Sequence, residues 1–177
     1  MNNIFLIGYR CTGKTSVGKE LSAKLSYPFI DADEFLVKED GRSISEIVAQ
    51  EGWGAFRKKE KEIIEKICKL DKYIVSTGGG VVLDKENIII MKKTGIVVWL
   101  KADVATIKKR MISDYNTNNF RPSLTSKKIE DEIIETLTYR IPLYESSMDF
   151  FINTDEFTID EVCRNICQAI HLEHYLK

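Results

Sequence analysis

Gly8-Tyr9-Arg10-Cys11-Thr12-Gly13-Lys14-Thr15 follows directly on the apolar run Ile4-Phe5-Leu6-Ile7 and has the spacing G-x-x-x-x-G-K-[ST]. This is the pattern of a P-loop. Its glycines, Gly8 and Gly13, let the chain turn so that successive backbone N–H groups face one point, and a helix starting near Lys14 adds the positive end of its dipole. Such a nest holds phosphate, and the candidate nucleotide-binding residues are Gly8, Arg10, Cys11, Thr12, Gly13, Lys14, Thr15 and Ser16. Lys14 can reach the β- and γ-phosphates as a point charge, while the Thr15 hydroxyl is a hard oxygen suited to Mg²⁺. A chance match in an ordinary turn is the alternative. The context speaks against it, because an apolar strand precedes the loop and Val17, Leu21 and Leu25 follow at helical spacing.

Outward from this loop, four more short apolar runs read as strands: Tyr27-Pro28-Phe29-Ile30, Tyr73-Ile74-Val75-Ser76, Gly95 to Leu100 and Phe150 to Asn153. Gly95 to Leu100 is almost continuously apolar, as expected of a parallel strand covered on both faces. Between the strands lie helical patterns, over Asp84 to Lys93, Asp103 to Ser113, Ile129 to Tyr144 with a break at Pro142, and Thr158 to Leu176. Strands alternating with helices predict an α/β fold with a five-stranded parallel sheet. In such a sheet, ligands gather outside the strand carboxyl ends.

The second strand delivers Asp31-Ala32-Asp33 at that end. Strand alternation predicts both carboxylates on one side, where Mg²⁺ and a phosphoryl acceptor belong; a helix cap made by Asp33 is the equal alternative. Ser43 precedes Glu46 by three residues, the spacing of a capping box. From Trp53 onward an amphipathic helix carries an inner stripe at Phe56, Glu60, Ile63, Ile64 and Ile67. Glu60 lies three residues from Arg57, so the two can form either a partly buried pair that aims the guanidinium or a solvated ion pair. Thr77-Gly78-Gly79-Gly80 ends the third strand, where three glycines indicate either close approach of a ligand or backbone, or a plain turn. The polar, aperiodic stretch from Asp114 to Thr125 reads as a mobile surface loop bearing Arg121.

Composition narrows the function classes. With 177 residues, 44% hydrophobic and 30% charged, the chain suits one globular domain, placed at 1–177. A formal net charge of -1 gives no basic field for nucleic acid, and no apolar run has membrane-spanning length. The expectation is a cytoplasmic monomer without nucleic-acid or membrane partners. Cys11, Cys68, Cys163 and Cys167 lack paired C-x-x-C spacing and are expected to be reduced. His171 and His174 are expected on the surface of the last helix.

Taken in order, the P-loop, Asp31-Ala32-Asp33, Gly41-Arg42-Ser43-Ile44, Phe56-Arg57 with Glu60, Thr77 to Gly80, Arg121-Pro122, and Arg140 with Pro142-Leu143-Tyr144 resemble the shikimate kinase family, from Ile4 to about Cys167. The resemblance implies a three-layer α/β/α fold of the nucleoside monophosphate kinase type, with a lid at about 112–126 and an acceptor-binding segment at about 32–62. It implies transfer of the ATP γ-phosphoryl to the 3-hydroxyl of shikimate in aromatic amino-acid biosynthesis, with ATP as co-substrate and Mg²⁺ as cofactor. On the same footing Asp33, Arg57, Gly78, Gly79, Gly80 and Arg140 bind shikimate, and Lys14, Asp33 and Arg121 are catalytic. Thr15 and Asp31 hold the metal, Asp31 through a water, and Arg110 joins Arg121 in binding the nucleotide. The lid departs from the common family form, reading Arg121-Pro122-Ser123-Leu124 after an Asn-rich approach, and Cys11 stands where a small residue is usual. Two competing classes are another small-molecule P-loop kinase of the gluconate or nucleotide type, and a non-catalytic nucleotide-binding regulatory module.

Overall fold

The computed structural model describes residues 3–113 and 129–175, with the side chains of 171–175 outside the description. The segment carrying Arg121 and most of the expected lid, together with the side chains of His171 and His174, therefore lies outside the described residues.

Five strands form one sheet in the order β2-β3-β1-β4-β5. They are β1 (Asn3–Ile7), β2 (Phe29–Asp31), β3 (Ile74–Ser76), β4 (Gly95–Lys101) and β5 (Phe150–Asn153), and every neighbouring pair is parallel. Parallel neighbours require crossover connections, here made by helices α1 (Lys14–Leu25), α2 (Ala32–Asp40), α3 (Ile44–Ile67), α4 (Lys85–Thr94), α5 (Val104–Ser113) and α6 (Ile129–Ser147), with α7 (Ile159–Tyr175) following β5.

Strand alternation divides the core into two layers. Phe5 and Ile7 of β1 and Val97 and Trp99 of β4 join a cluster with Leu36, Phe56, Ile63, Ile64, Met91 and Tyr144. Ile4 and Leu6, with Val98 and Leu100, face the other way and pack with Val17, Leu21, Val162, Ile166 and Ile170. The sheet is thus sandwiched by α2, α3, α4 and α6 on one face and by α1 and α7 on the other. This is the three-layer α/β/α arrangement. A third cluster, built from Tyr9, Ala102, Ile107, Met111, Ile133 and Leu137, ties α5 and α6 to the phosphate loop.

Local signals fix the helix ends. Ser43 and Glu46 form the expected capping box, with Ser43 N–H donating to Glu46 Oε2 at 2.7 Å and Glu46 N–H to Ser43 Oγ at 3.2 Å. Helix α3 starts there rather than at Trp53, and bends at Gly52, whose φ of 80° only glycine tolerates readily. The whole inner stripe from Phe56 to Ile67 is buried as expected.

Two expectations are corrected. Helix α6 does not break at Pro142 but runs on to Ser147. Proline removes the hydrogen bond to the carbonyl one turn earlier, that of Thr138, which is exposed and open to water. Beyond the proline, Ser147 Oγ donates to Leu143 O at 2.6 Å, and Tyr144 is anchored outside the helix. The second correction concerns Asp31 and Asp33, which do not alternate along one strand. Asp31 closes β2 and caps α2, accepting from the N–H groups of Asp33 at 3.1 Å and Glu34 at 3.4 Å. Asp33 therefore sits in the first helical turn and is not the cap.

Among the described residues no helix is long and apolar enough to cross a membrane. None of the four cysteines forms a disulfide among the described residues. Burial raises the thiol pKa of Cys68, Cys167 and Cys163, the last to about 12, which disfavours their reactive thiolate form.

Candidate active site

The phosphate loop is shaped by backbone that its glycines permit. Gly8 has a φ of 140°, and a Cβ there would lie 2.4 Å from Leu100 O, so both conformation and space demand glycine. Gly13 has a φ of 93° and precedes α1 without any side-chain cap, which leaves the first N–H groups of the helix for a ligand. Thr12 Oγ1 donates to Tyr9 O at 2.8 Å and braces the turn. Lys14 is buried, its ammonium donating to Gly8 O and Tyr9 O, each at 2.8 Å. The lysine thus lies across the loop it serves, and its charge is fixed at the phosphate nest.

A cleft of about 880 Å³ opens from this loop. Cys11, Thr12, Gly13, Lys14, Thr15 and Ser16 line it on one side, with Asp31 and Asp33 at the end near β2. Thr15 Oγ1 donates to Asp31 Oδ2 at 2.9 Å and lies 3.4 Å from Ser76 Oγ at the end of β3. Arg110 also lines the cleft, with Nη1 donating to Thr154 Oγ1 at 3.0 Å and Nη2 to Thr154 O at 2.6 Å. Beyond it, Phe157, Ile159 and Val162 form an apolar end wall.

A second, narrower pocket adjoins the first and is lined by Asp33, Arg57, Glu60, Gly78, Gly79, Gly80 and Arg140, with Trp53 and Phe56 beside them. Asp33 and Ile44 line both cavities, so the carboxylate of Asp33 stands at their junction. The Arg57–Glu60 pair is real and sheltered: Nη1 donates to Glu60 Oε2 at 2.6 Å, and Glu60 is 4% exposed. The guanidinium also lies over the rings of Phe56 and Trp53, at 5.0 and 5.6 Å from their centroids. Burial raises the Glu60 carboxyl pKa, and the Asp33 charge pushes it the same way, while Arg57 opposes both.

The glycine run serves close approach. None of Gly78, Gly79 and Gly80 has positive φ, but a Cβ on Gly78 would lie 2.7 Å from Glu60 Oε1 and 2.9 Å from Asp33 Oδ1, and one on Gly80 would lie 2.2 Å from Arg57 Nη2. The plain-turn alternative therefore fails at these positions. Gly79 O is gripped from α6, by Arg140 Nη1 at 3.0 Å and by the hydroxyl of Tyr144 at 2.5 Å. Tyr144 is fully buried, which raises its phenol pKa to about 12 and keeps it a donor.

Of the residues singled out from sequence, Asp33, Arg57, Gly78, Gly79, Gly80 and Arg140 meet in one pocket, and Cys11 to Ser16, Asp31 and Arg110 in the other. The Arg10 side chain takes a different course from the rest of its loop, lining the second pocket and pairing with Glu132. Arg121 lies outside the described residues. Sequence reading gave no role to Trp53, Ser76 or Glu132, nor to Tyr144, although Tyr144 stands in the Arg140 to Tyr144 motif. Ser76 carried a readable signal, standing at a strand end beside the glycine run, whereas Glu132 gains meaning only when α6 is folded against the loop.

Comparison with known proteins agrees with this geometry. A family model described as shikimate kinase matches residues 10–171. A shikimate kinase of Thermodesulfovibrio yellowstonii is 42% identical, over 94% of this chain and 93% of its own. One from Syntrophus aciditrophicus is 38% identical over 98% of this chain and 93% of its own. Among solved structures, a shikimate kinase of Acinetobacter baumannii in complex with shikimate superposes with a TM-score of 0.91 at 30% identity, covering 100% of this chain and 96% of that one. A gluconokinase of Sinorhizobium meliloti shares the fold alone, with a TM-score of 0.60 at 16% identity over 97% of each chain. The paired cavities, their residues and these matches lead to one conclusion: the chain belongs to the shikimate kinase family.

Proposed function

We propose that the chain transfers the γ-phosphoryl of ATP to the 3-hydroxyl of shikimate, giving shikimate 3-phosphate and ADP. The observation that carries this reading is the position of Asp33, which lines both the nucleotide cleft and the pocket holding Arg57 and Arg140. A donor on one side and an acceptor on the other would meet at this carboxylate. Phosphoryl transfer needs little covalent help from a protein, so the work is positioning and charge stabilisation.

In this reading Arg57 and Arg140 take the shikimate carboxylate, a pairing suited to guanidinium geometry. Glu60 holds Arg57 in direction, and the glycine run at 78–80 admits the ring against the backbone. Asp33 accepts the proton of the attacking hydroxyl. Lys14 leaves the loop carbonyls for the phosphates when nucleotide binds, and Arg121 adds charge to the moving phosphoryl. The N–H groups of the loop and of α1 hold the phosphates, and Arg110 lies toward the base.

Mg²⁺ fits the oxygens present. Thr15 Oγ1, Asp31 Oδ2 and Ser76 Oγ converge within hydrogen-bonding distance as hard donors. Among the described residues no cluster of three or more His, Cys, Asp or Glu could cage a metal alone, which suits an ion held mainly by phosphate and water. Thr15 and Asp31 would hold it, and bound there it would neutralise phosphate charge. The enzyme is read as a cytoplasmic monomer forming one kinase domain.

Incubation with ATP, Mg²⁺ and shikimate, followed by mass and NMR analysis of the acceptor, tests the assignment. One phosphoryl group at the 3-oxygen is expected; unchanged shikimate contradicts it.

A further inference from the structure

Arg10 and Glu132 form an ion pair that is almost sealed from water, with side chains 10% and 2% exposed. One partner belongs to the phosphate loop, the other to α6. Removing two charges from water is costly, and replacing such a pair by apolar residues of similar size is often neutral or stabilising. Stability alone is a weak reason for a buried pair in this place.

The contacts around it close a ring. Arg10 reaches Glu132; eight residues further along the same helix, Arg140 donates to Gly79 O at 3.0 Å, and Tyr144 donates to the same oxygen. Gly79 returns to the phosphate loop, since a Cβ on it would lie 3.3 Å from Gly8 O and 3.4 Å from Arg10 N. Three members of this ring, Arg10, Gly79 and Arg140, line the same pocket as Arg57. Arg10 also lies over the ring of Tyr9, 5.6 Å from its centroid, so its direction is set from both sides.

We infer that Arg10 and Glu132 are a positioning pair for the acceptor site: they fix the register of α6 against the phosphate loop, and so the distance between Arg140 and the transferred phosphoryl. Neither residue needs to touch the acceptor for this role. The inference rests on the shikimate kinase reading above.

The test uses Glu132→Gln and the double variant Arg10→Met/Glu132→Met, which removes both charges without stranding either in the interior. Steady-state kinetics would be measured with shikimate and ATP varied separately, beside nucleotide affinity without acceptor and thermal melting. The pair's role predicts that the double variant melts at or above the wild-type temperature and that any change in its nucleotide affinity is smaller than the change in its shikimate KM. Its shikimate KM should rise about tenfold and its kcat fall. A purely structural pair would instead leave kcat and the shikimate KM in place, whichever way the melting temperature moves. A folded double variant with wild-type kcat and shikimate KM overturns the inference. Absence of shikimate-dependent turnover in the wild type would instead overturn the functional reading beneath it.

Discussion

At the scale of single residues, the pocket lined by Arg57 and Arg140 is organised by charges brought together under partial burial. Asp33 and Glu60 both approach Gly78 closely, and Arg57 donates to Glu60 within the same pocket. The base role proposed for Asp33 makes a direct prediction: Asp33→Asn should lower kcat by on the order of a hundredfold, within the usual range for loss of a general base, with a small change in shikimate KM. Unchanged turnover in steady-state assays would remove the base role. Glu60 is predicted to act through Arg57, so Glu60→Gln should raise shikimate KM roughly tenfold, the scale of one charge-assisted hydrogen bond. The same substitution has a stability signature. Because the folded Glu60 pKa is raised, the native state binds the extra proton and stability falls as pH rises from the ordinary glutamate range through the raised folded value. Melting curves across that window should therefore decline more steeply for the wild type than for Glu60→Gln; parallel curves would contradict the raised pKa. Cys11 lines the nucleotide cleft with a φ of 61°. Its thiol has no step in the reaction, so Cys11→Ala should keep turnover, and loss of activity in a folded variant would give the thiol a role.

At the scale of elements, the sequence was most legible where structure is local. The P-loop, the Arg57–Glu60 pair and the Ser43–Glu46 box each lie within one turn or loop, where spacing alone decides who meets whom. The capping box gives a clean test because neither Ser43 nor Glu46 lines either cavity. Ser43→Ala should cost about 1 kcal/mol, seen as a melting temperature lower by roughly 2–4 °C for a domain of this size, with kcat unaltered; an unshifted melting curve would show the cap to be idle. Legibility failed where elements meet. Pro142 signalled a helix end, yet α6 continues, since the carbonyl it releases is on an exposed turn and Tyr144 is pinned to Gly79 O. The strand pattern put Asp31 and Asp33 on one side, and both do line the first cleft, but by a different route: the chain turns into α2 at once, so Asp31 caps that helix while Asp33 stands in its first turn and lines both cavities.

At the scale of the whole molecule, the parallel sheet sets the site. Strands β1, β2 and β3 end together, so the P-loop, Asp31 and the Ser76-to-Gly80 turn converge at one edge, and α3 and α6 bring Arg57 and Arg140 to them. The periodicity of apolar runs was enough to anticipate five parallel strands. The partnership of Arg10 with Glu132 was not, because it depends on α6 folding over a loop far away in sequence. The solved gluconokinase shares the fold alone, so acceptor choice is the decisive property. The most direct test is ADP release from the purified protein with ATP and Mg²⁺, comparing shikimate, gluconate, a nucleoside monophosphate and no acceptor. Release that depends on shikimate is predicted; equal release with every acceptor, or nucleotide binding without release from any, would contradict the account.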